Sequence, residues 1–364
     1  MTPKRLISVS AALVSVILTV SCTRSAGVDS QRVADLLDSL GIPSMQLSIY
    51  QNSAKSPAIL FNAGSDAVFQ AASLSKPVFS YIVMKLVDEG KMDLDTPVAS
   101  YTGIDRFDDR EMASLITPRM VLSHTSGLYN WAASPTSDEW ADSRISFHFA
   151  PDECFCYSGE AYAFLQRAAE DVTGKSLDEL AREYVFEPFG MRLSSYQWRN
   201  AYDSLAVYGF NAEGQNMGRW SGISPNSAYT LRTTSSEYLD FLTHAVLNGE
   251  GLSPATYKEW LTPRTHAIRF SGRERACDRD MYWCLGMGVR VSYDADGNPV
   301  PVQYWHWGDN DYWKSIYVVD IRKGIAMDYF TNSINGHGIC DEICRMTLGE
   351  SCGIQDWIGY DDDM

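Results

Sequence analysis

The sequence predicts an α+β fold, an antiparallel sheet built from both chain ends, flanked by helices, with a helical lobe in the middle. Three observations carry this. Strand-like alternation of apolar and polar residues marks Met45–Tyr50 and Ala58–Phe61 near one end, and several segments after Met281 near the other. Between these ends the apolar spacing is helical. No repeat, low-complexity tract or long linker separates the two, so both strand sets belong to one body.

Taken in order, Gln31–Leu40 reads as a helix closed by Gly41-Ile42-Pro43. Met45–Tyr50 and Ala58–Phe61 flank a turn rich in Ser, Asn and Lys and suggest a hairpin. Leu74–Asp88 carries an apolar stripe of Val78, Ile82, Val83, Leu86 and Val87, with Gly90 where a C-cap glycine belongs. Loops and short helices cover about 91–155. Glu160–Thr173 and Leu177–Phe186 are firmer helices, the second opened by Ser176 and Glu179 as a capping box. Ser236–Leu247 follows, with Ser235 as its expected cap. The strands Leu285–Ser292, Val300–Trp305, Ser315–Asp320 and Ile325–Thr331 come next, the first two joined by an Asp294–Asn298 turn, and Cys340–Leu348 is the last helix.

Composition bounds the function. The chain has 364 residues, 45% of them hydrophobic and 21% charged, an ordinary globular balance that excludes disordered and fibrous classes. Its 46 acids against 30 bases give a formal charge of −16, which repels phosphate backbones and argues against nucleic-acid binding. Ten Trp and twenty Tyr favour broad apolar clefts.

The N-terminus predicts export. Lys4 and Arg5 precede an apolar run, Leu6–Val20, with the length of a secretory signal and short for a membrane span. It ends in Leu18-Thr19-Val20-Ser21-Cys22, which looks like a bacterial lipoprotein signal with Cys22 as the acylated residue, although Thr19 stands where an aliphatic residue is usual. The expected organisation is a signal peptide over 1–21, a tether over 22–30, one folded domain over 31–350 with its helical lobe at about 91–230, and an acidic tail over 351–364. The expected location is the cell envelope, membrane-anchored or periplasmic, and the chain is taken as a monomer.

Setting Cys22 aside, an odd number of cysteines remains, so at least one thiol is free or pairs between chains. Cys277 and Cys284, around an Asp-Arg-Asp turn, are the expected disulfide. His337, Cys340 and Cys344 have a vaguely metal-like spacing, but no fourth ligand is evident and no metal is expected.

The chemistry centres on Ser73-Leu74-Ser75-Lys76, which sets a serine at the mouth of a helix and a lysine on the same face one turn on. A serine hydroxyl needs a neighbouring base, and a desolvated lysine can be one. The spacing alone also suits a helix cap followed by a surface lysine. Three further phrases change the balance: VLSHTSGLYNW from Val121, FCYSGEAY from Phe155, and YWHWGDNDYWKS from Tyr304, with EPFGMRLSSY between the last two. On these the chain resembles the serine hydrolases of the β-lactamase and penicillin-binding family, the branch of class C β-lactamases, D-alanyl-D-alanine carboxypeptidases, D-amino-acid peptidases and related esterases, over about 45–340.

The resemblance implies a β-lactamase/DD-peptidase-like fold and no cofactor. It implies Ser73 as acylated nucleophile, Lys76 as its lysine, Tyr157 as the second-motif tyrosine sharing proton transfer, and His306-Trp307-Gly308 as the third motif. Flanking cations would favour a phenolate at Tyr157. Gly308 would let substrate lie along its strand, and the backbone N–H groups of Ser73 and Asp309 would form the oxyanion hole. Two departures stand out. Gly159 replaces the usual Asn of the second motif, and His306, only partly charged near neutral pH, replaces the usual Lys; Lys314 is a candidate substitute cation. Both departures fit peptidases and esterases better than β-lactamases. Trp131 and Trp313 are placed where family loops approach substrate, while core packing is the competing role for any one tryptophan. His124 reads as a structural hydrogen-bonder, and Cys154 and Cys156 lack partners for a cysteine nucleophile. The expected activity is an exported serine hydrolase acting on small-molecule or peptide amides or esters, with a β-lactamase or a weakly catalytic penicillin-binding protein as the alternative.

Overall fold

The computed structural model describes residues 28–268 and 275–359. The proposed signal peptide and Cys22 lie outside them. The strands are β1 (Met45–Gln51), β2 (Ala54–Lys55), β3 (Ile59–Phe61), β4 (Phe69–Gln70), β5 (Arg232–Thr233), β6 (Thr265–His266), β7 (Met281–Trp283), β8 (Gly288–Tyr293), β9 (Pro299–Asp309), β10 (Lys314–Asp320) and β11 (Ile325–Thr331). The main sheet runs β2-β1-β11-β10-β9-β8-β7-β6, with β3 also on β1, and every pairing is antiparallel. The N-terminal β1 lies against the C-terminal β11, Met45 opposite Thr331, so the two ends close one sheet.

Strand alternation sorts side chains into two cores. Ile316 and Val318 of β10 join Val33 and Leu37 of the Ser30–Ser39 helix and Ile343 and Leu348 of the Cys340–Leu348 helix. Tyr317 and Val319 face the other way, into the core shared with the helical lobe. Covered on both faces, β10 is buried along its whole length, and its sequence is correspondingly apolar without clean alternation.

Local chemistry explains the helix ends. Ser176 and Glu179 form the reciprocal capping box, and Gly174 and Gly90 close their helices with φ near +67°. The Leu177–Phe186 segment is α-helical only to Ala181 and then widens into a π turn, as does the helix starting at Ser235 after Phe241. That helix is capped by Thr234, one residue before the expected Ser235, because Thr234 accepts from the Glu237 N–H.

Three further expectations are corrected. Asp29 caps the first helix and Val28 is buried, so the expected tether ends inside the fold. Residues 351–359 are no tail: Ile354–Ile358 is a helix with Ile354 and Trp357 buried against the sheet. Cys277, in the 3₁₀ turn Ala276–Asp280, and Cys284, just after β7, are both free thiols, so the expected disulfide is not formed. Cys284 is buried with its thiol donating to the Leu261 carbonyl (3.3 Å).

Candidate active site

Ser73 sits in a 3₁₀ turn, Ala72–Leu74, that runs directly into the Ser75–Asp88 helix. The turn is held from three sides. The Ser75 hydroxyl donates to the Ala72 carbonyl (2.6 Å) and accepts from the Leu231 N–H (3.0 Å), and the Ser315 hydroxyl of β10 donates to the Ala71 carbonyl (3.0 Å). Ala72 is forced to φ +50°, a left-handed conformation costing a non-glycine residue about 1–3 kcal/mol, and the surrounding bonds maintain it. Gly308 of β9 packs on this same turn. A Cβ there would meet Ser315 Oγ at 2.1 Å and the Ala71 carbonyl at 2.4 Å. The glycine is therefore needed for strand-to-turn packing.

Lys76 is buried, and its Nζ lies 3.0 Å from Ser73 Oγ and donates to the Ala228 carbonyl (2.8 Å). The amine also stands over the Tyr157 ring (4.7 Å) and the Tyr162 ring (5.5 Å). Among the described residues it has no carboxylate partner, so burial drives its pKa well below the usual 10.5 and favours the free amine.

Tyr157 precedes the Gly159–Thr173 helix, whose cap Ser158 accepts from the Ala161 N–H (3.0 Å). His124 fixes this segment: its carbonyl accepts from Cys156 N–H (2.7 Å), and its Nδ1 accepts from Ser158 N–H (3.2 Å). With Nδ1 as acceptor the ring proton is on Nε2, and burial, Lys76 and His306 together keep the ring neutral. Its ring lies 4.2 Å from that of Tyr157, so it supports the tyrosine from beneath. The phenolate expectation is overturned. Burial holds the Tyr157 pKa above the usual 10.0; neighbouring Ser73 pulls it down, but Asp309 adds to the rise. Burial thus favours the phenol over the phenolate, and Ser73 is the hydrogen-bonding neighbour of its buried oxygen.

His306 differs from expectation in the same direction. It is wholly buried, its Nδ1 donates to the Trp307 carbonyl (2.6 Å), and burial pushes its pKa well below 6.5. The ring stacks on Trp307 and lies 6.2 Å from the Tyr157 ring, behind the cleft surface and not on it. It is a neutral second layer. Lys314 is also unavailable as a cation, because its ammonium pairs with Asp309 Oδ1 (2.5 Å) and is 8% exposed.

These residues open onto a cleft of about 690 Å³ in which Ser73, Lys76, Tyr157 and Asp309 face Trp131, Trp307 and Trp357. Trp131 takes the space left by the second-motif glycine: a Cβ on Gly159 would lie 2.2 Å from its ring. Trp313 is corrected to the core. It is fully buried, and Trp220, packed 5.2 Å from it, forms the cleft wall. Sequence reasoning missed Trp220, Asp311 and Trp357. For Trp357 the signal was present, since Ile354, Trp357 and Ile358 repeat at helical spacing. Cys156 also touches the cleft, but burial raises its thiol to about 11, which disarms it. Among the described residues no cluster of three or more His, Cys, Asp or Glu is arranged to hold a metal; His337 instead bonds the Gly308 carbonyl through Nε2 (3.0 Å).

Known proteins agree with this arrangement. Penicillin-binding protein 4 of Amycolatopsis lactamdurans is 27% identical over 309 residues, covering 80% of this chain and 79% of that protein. Esterase EstB of Burkholderia gladioli is 28% identical over 151 residues, 35% of this chain and 38% of the esterase. A D-stereospecific amidohydrolase from Streptomyces superposes with a TM-score of 0.71 at 17% identity, covering 88% of this chain and 98% of its own. The family model described as Beta-lactamase matches residues 30–338, and with the sheet, the motifs and the Ser73–Lys76 geometry in place, the chain belongs to the beta-lactamase family, whose members are generally serine hydrolases.

Proposed function

We propose that the protein hydrolyses esters or amides through an acyl-serine intermediate on Ser73. The observation that carries this is the buried, carboxylate-free Lys76 amine 3.0 Å from Ser73 Oγ. As a free amine it accepts the hydroxyl proton while Oγ attacks the carbonyl carbon. The backbone N–H groups of Ser73 and Asp309 receive the oxyanion. The proton then passes from Lys76, with the protonated Tyr157 phenol as relay, to the departing oxygen or nitrogen. Water attacks the acyl-serine and gives its proton to Lys76, which passes it to Ser73 Oγ as the acid leaves, restoring the serine hydroxyl and the free amine. Candidate substrates are D-alanyl peptides, D-amino-acid amides and small esters. β-Lactam hydrolysis is the weaker reading, because Trp131 fills the place of the missing Asn and His306 is buried and neutral.

A fluorophosphonate probe should label the protein and fail to label Ser73→Ala, and p-nitrophenyl acetate should be turned over only by the former. Undiminished ester hydrolysis in Ser73→Ala would remove the assignment. We also propose export and lipid anchoring through Cys22. Detergent-phase partitioning of the full chain should vanish in Cys22→Ala, and persistence of partitioning would end that reading.

A further inference from the structure

The segment that carries Trp131 over the cleft is irregular as far as the 3₁₀ turn Trp140–Asp142. Its tip, Ser134-Pro135-Thr136-Ser137-Asp138-Glu139, has little apolar surface to bury, yet Trp131, Ser134, Pro135 and Thr136 all line the cleft. A loop of this kind belongs to the low-stability end of a fold unless something outside it holds it.

Glu160 holds it. The residue lies in the first turn of the Gly159–Thr173 helix, three positions after Tyr157, and its side chain is 1% exposed. Its Oε2 accepts from both ends of the loop, from the Ala132 backbone N–H (3.1 Å) and from the Trp140 indole Nε1–H (2.7 Å). Its Oε1 faces the Arg106 guanidinium (3.1 Å). Arg106 in turn donates to the Trp140 carbonyl (2.7 Å) and the Ser143 carbonyl (3.0 Å), bracing the far end. The near end is fixed by the helix start itself. The Glu160 N–H donates to the Asn130 carbonyl (2.8 Å) and the Gly159 N–H to Asn130 Oδ1 (2.8 Å). At the tip, the Tyr229 hydroxyl donates to the Pro135 carbonyl (3.0 Å), and the Trp131 ring meets those of Trp140 and Tyr229 edge-on. A carboxylate buried this deeply persists only when it is paired and hydrogen-bonded. The groups that satisfy this one are the two ends of the loop and the arginine behind them.

We propose that Glu160 is the positioning residue that shapes the cleft, latching the loop from Trp131 to Trp140 shut through one carboxylate without touching the reacting atoms. One helix start then carries both Tyr157 and the latch, so the phenol and the Trp131 wall are held in fixed register. Because folding has already ordered the wall, a substrate that meets it does not have to. The wall's use in turnover rests on the acyl-serine reading, but the latch is a property of the fold and is measured separately.

Hydrogen exchange and ester kinetics on the full chain test it in three variants: Trp140→Phe, which keeps an aromatic ring and loses the indole N–H, Glu160→Ala and Glu160→Gln. In the first two, amides within 131–143 should exchange at least about tenfold faster than in the wild type, while those of the Ser75–Asp88 helix keep their rates. For p-nitrophenyl phenylacetate, whose acyl group is large enough to meet the cleft wall, KM should rise at least about fivefold with kcat within about twofold. The constants for p-nitrophenyl acetate should stay within about twofold. Glu160→Gln keeps an oxygen for Ala132 and Trp140 and should lie nearer the wild type than Glu160→Ala. Unchanged loop exchange, or losses shared equally by the two esters, would overturn the proposal, since a merely structural residue would lower both activities alike. If Glu160→Ala does not fold, Trp140→Phe decides. If the wild type turns over neither ester, the acyl-serine reading fails and loop exchange still decides the latch.

Discussion

The indole of Trp131 occupies the volume that a side chain on Gly159 would require, with 2.2 Å between its ring and an added Cβ. The two positions are one unit. A family member with a polar residue at the second must have something smaller at the first, or a displaced loop. Gly159→Asn should therefore cost about 1–3 kcal/mol, the usual price of overpacking, while Gly159→Asn with Trp131→Ala should recover much of that loss. Urea unfolding of the four proteins of this cycle checks it. Losses that simply add would mean that the loop carrying Trp131 yields freely.

If Ser73, Lys76 and Tyr157 share one proton path, as proposed, their effects should not add. Lys76→Ala and Tyr157→Phe should each slow acylation by about 10²–10⁴, and the double variant should be scarcely slower than the worse single one. Burst kinetics with a chromogenic ester measure acylation directly. Multiplying losses would separate the two groups into independent roles.

The pH profile should have one limb. The reaction needs Lys76 as a free amine, so activity falls as pH drops through its depressed pKa, and the midpoint lies well below 10.5. Tyr157 is needed as a phenol, and its raised pKa keeps the proton on past pH 10.0, so no alkaline decline should appear below that value. A bell centred near neutrality in kcat/KM for a neutral ester would contradict both assignments.

Trp357 anchors the C-terminal helix to the cleft. Its ring packs 5.1 Å from Trp305 and 5.2 Å from Trp307, and its Nε1 donates to the Ala267 carbonyl (2.9 Å). Trp357→Ala should destabilise the protein by about 3–5 kcal/mol and raise KM for apolar esters more than it lowers kcat. Thermal unfolding with parallel kinetics checks this, and an unchanged KM would confine Trp357 to packing.

Much of this was legible in the residues. The Ser73–Lys76 spacing, the helix read over Glu160–Thr173 and the Ile325–Thr331 strand are local patterns, and local patterns survive into the fold. Charge states were not legible. That His306 and Tyr157 are neutral depends on burial by Trp283, Trp307 and residues from distant segments, which spacing does not encode. The same holds for Trp313 and Trp220. Both are tryptophans near the third motif in space; Trp313 is buried against Gly209, and Trp220 lines the cleft. The supposed acidic tail misled because its terminal Asp run masks the short apolar helix before it.

The pairing of β1 with β11 also orders events in time. Ser73 and Lys76 are synthesised early, yet the turn that holds them is buttressed by Ser315 and Gly308, and the cleft is walled by Trp307 and Trp357. The first strand can pair early with β2 and β3, but its other edge waits for β11, some 280 residues on. Until then the nucleophile is an ordinary serine in water beside an ordinary charged lysine. On the proposed chemistry, reactivity would arrive only once β9 and β10 have closed on that turn.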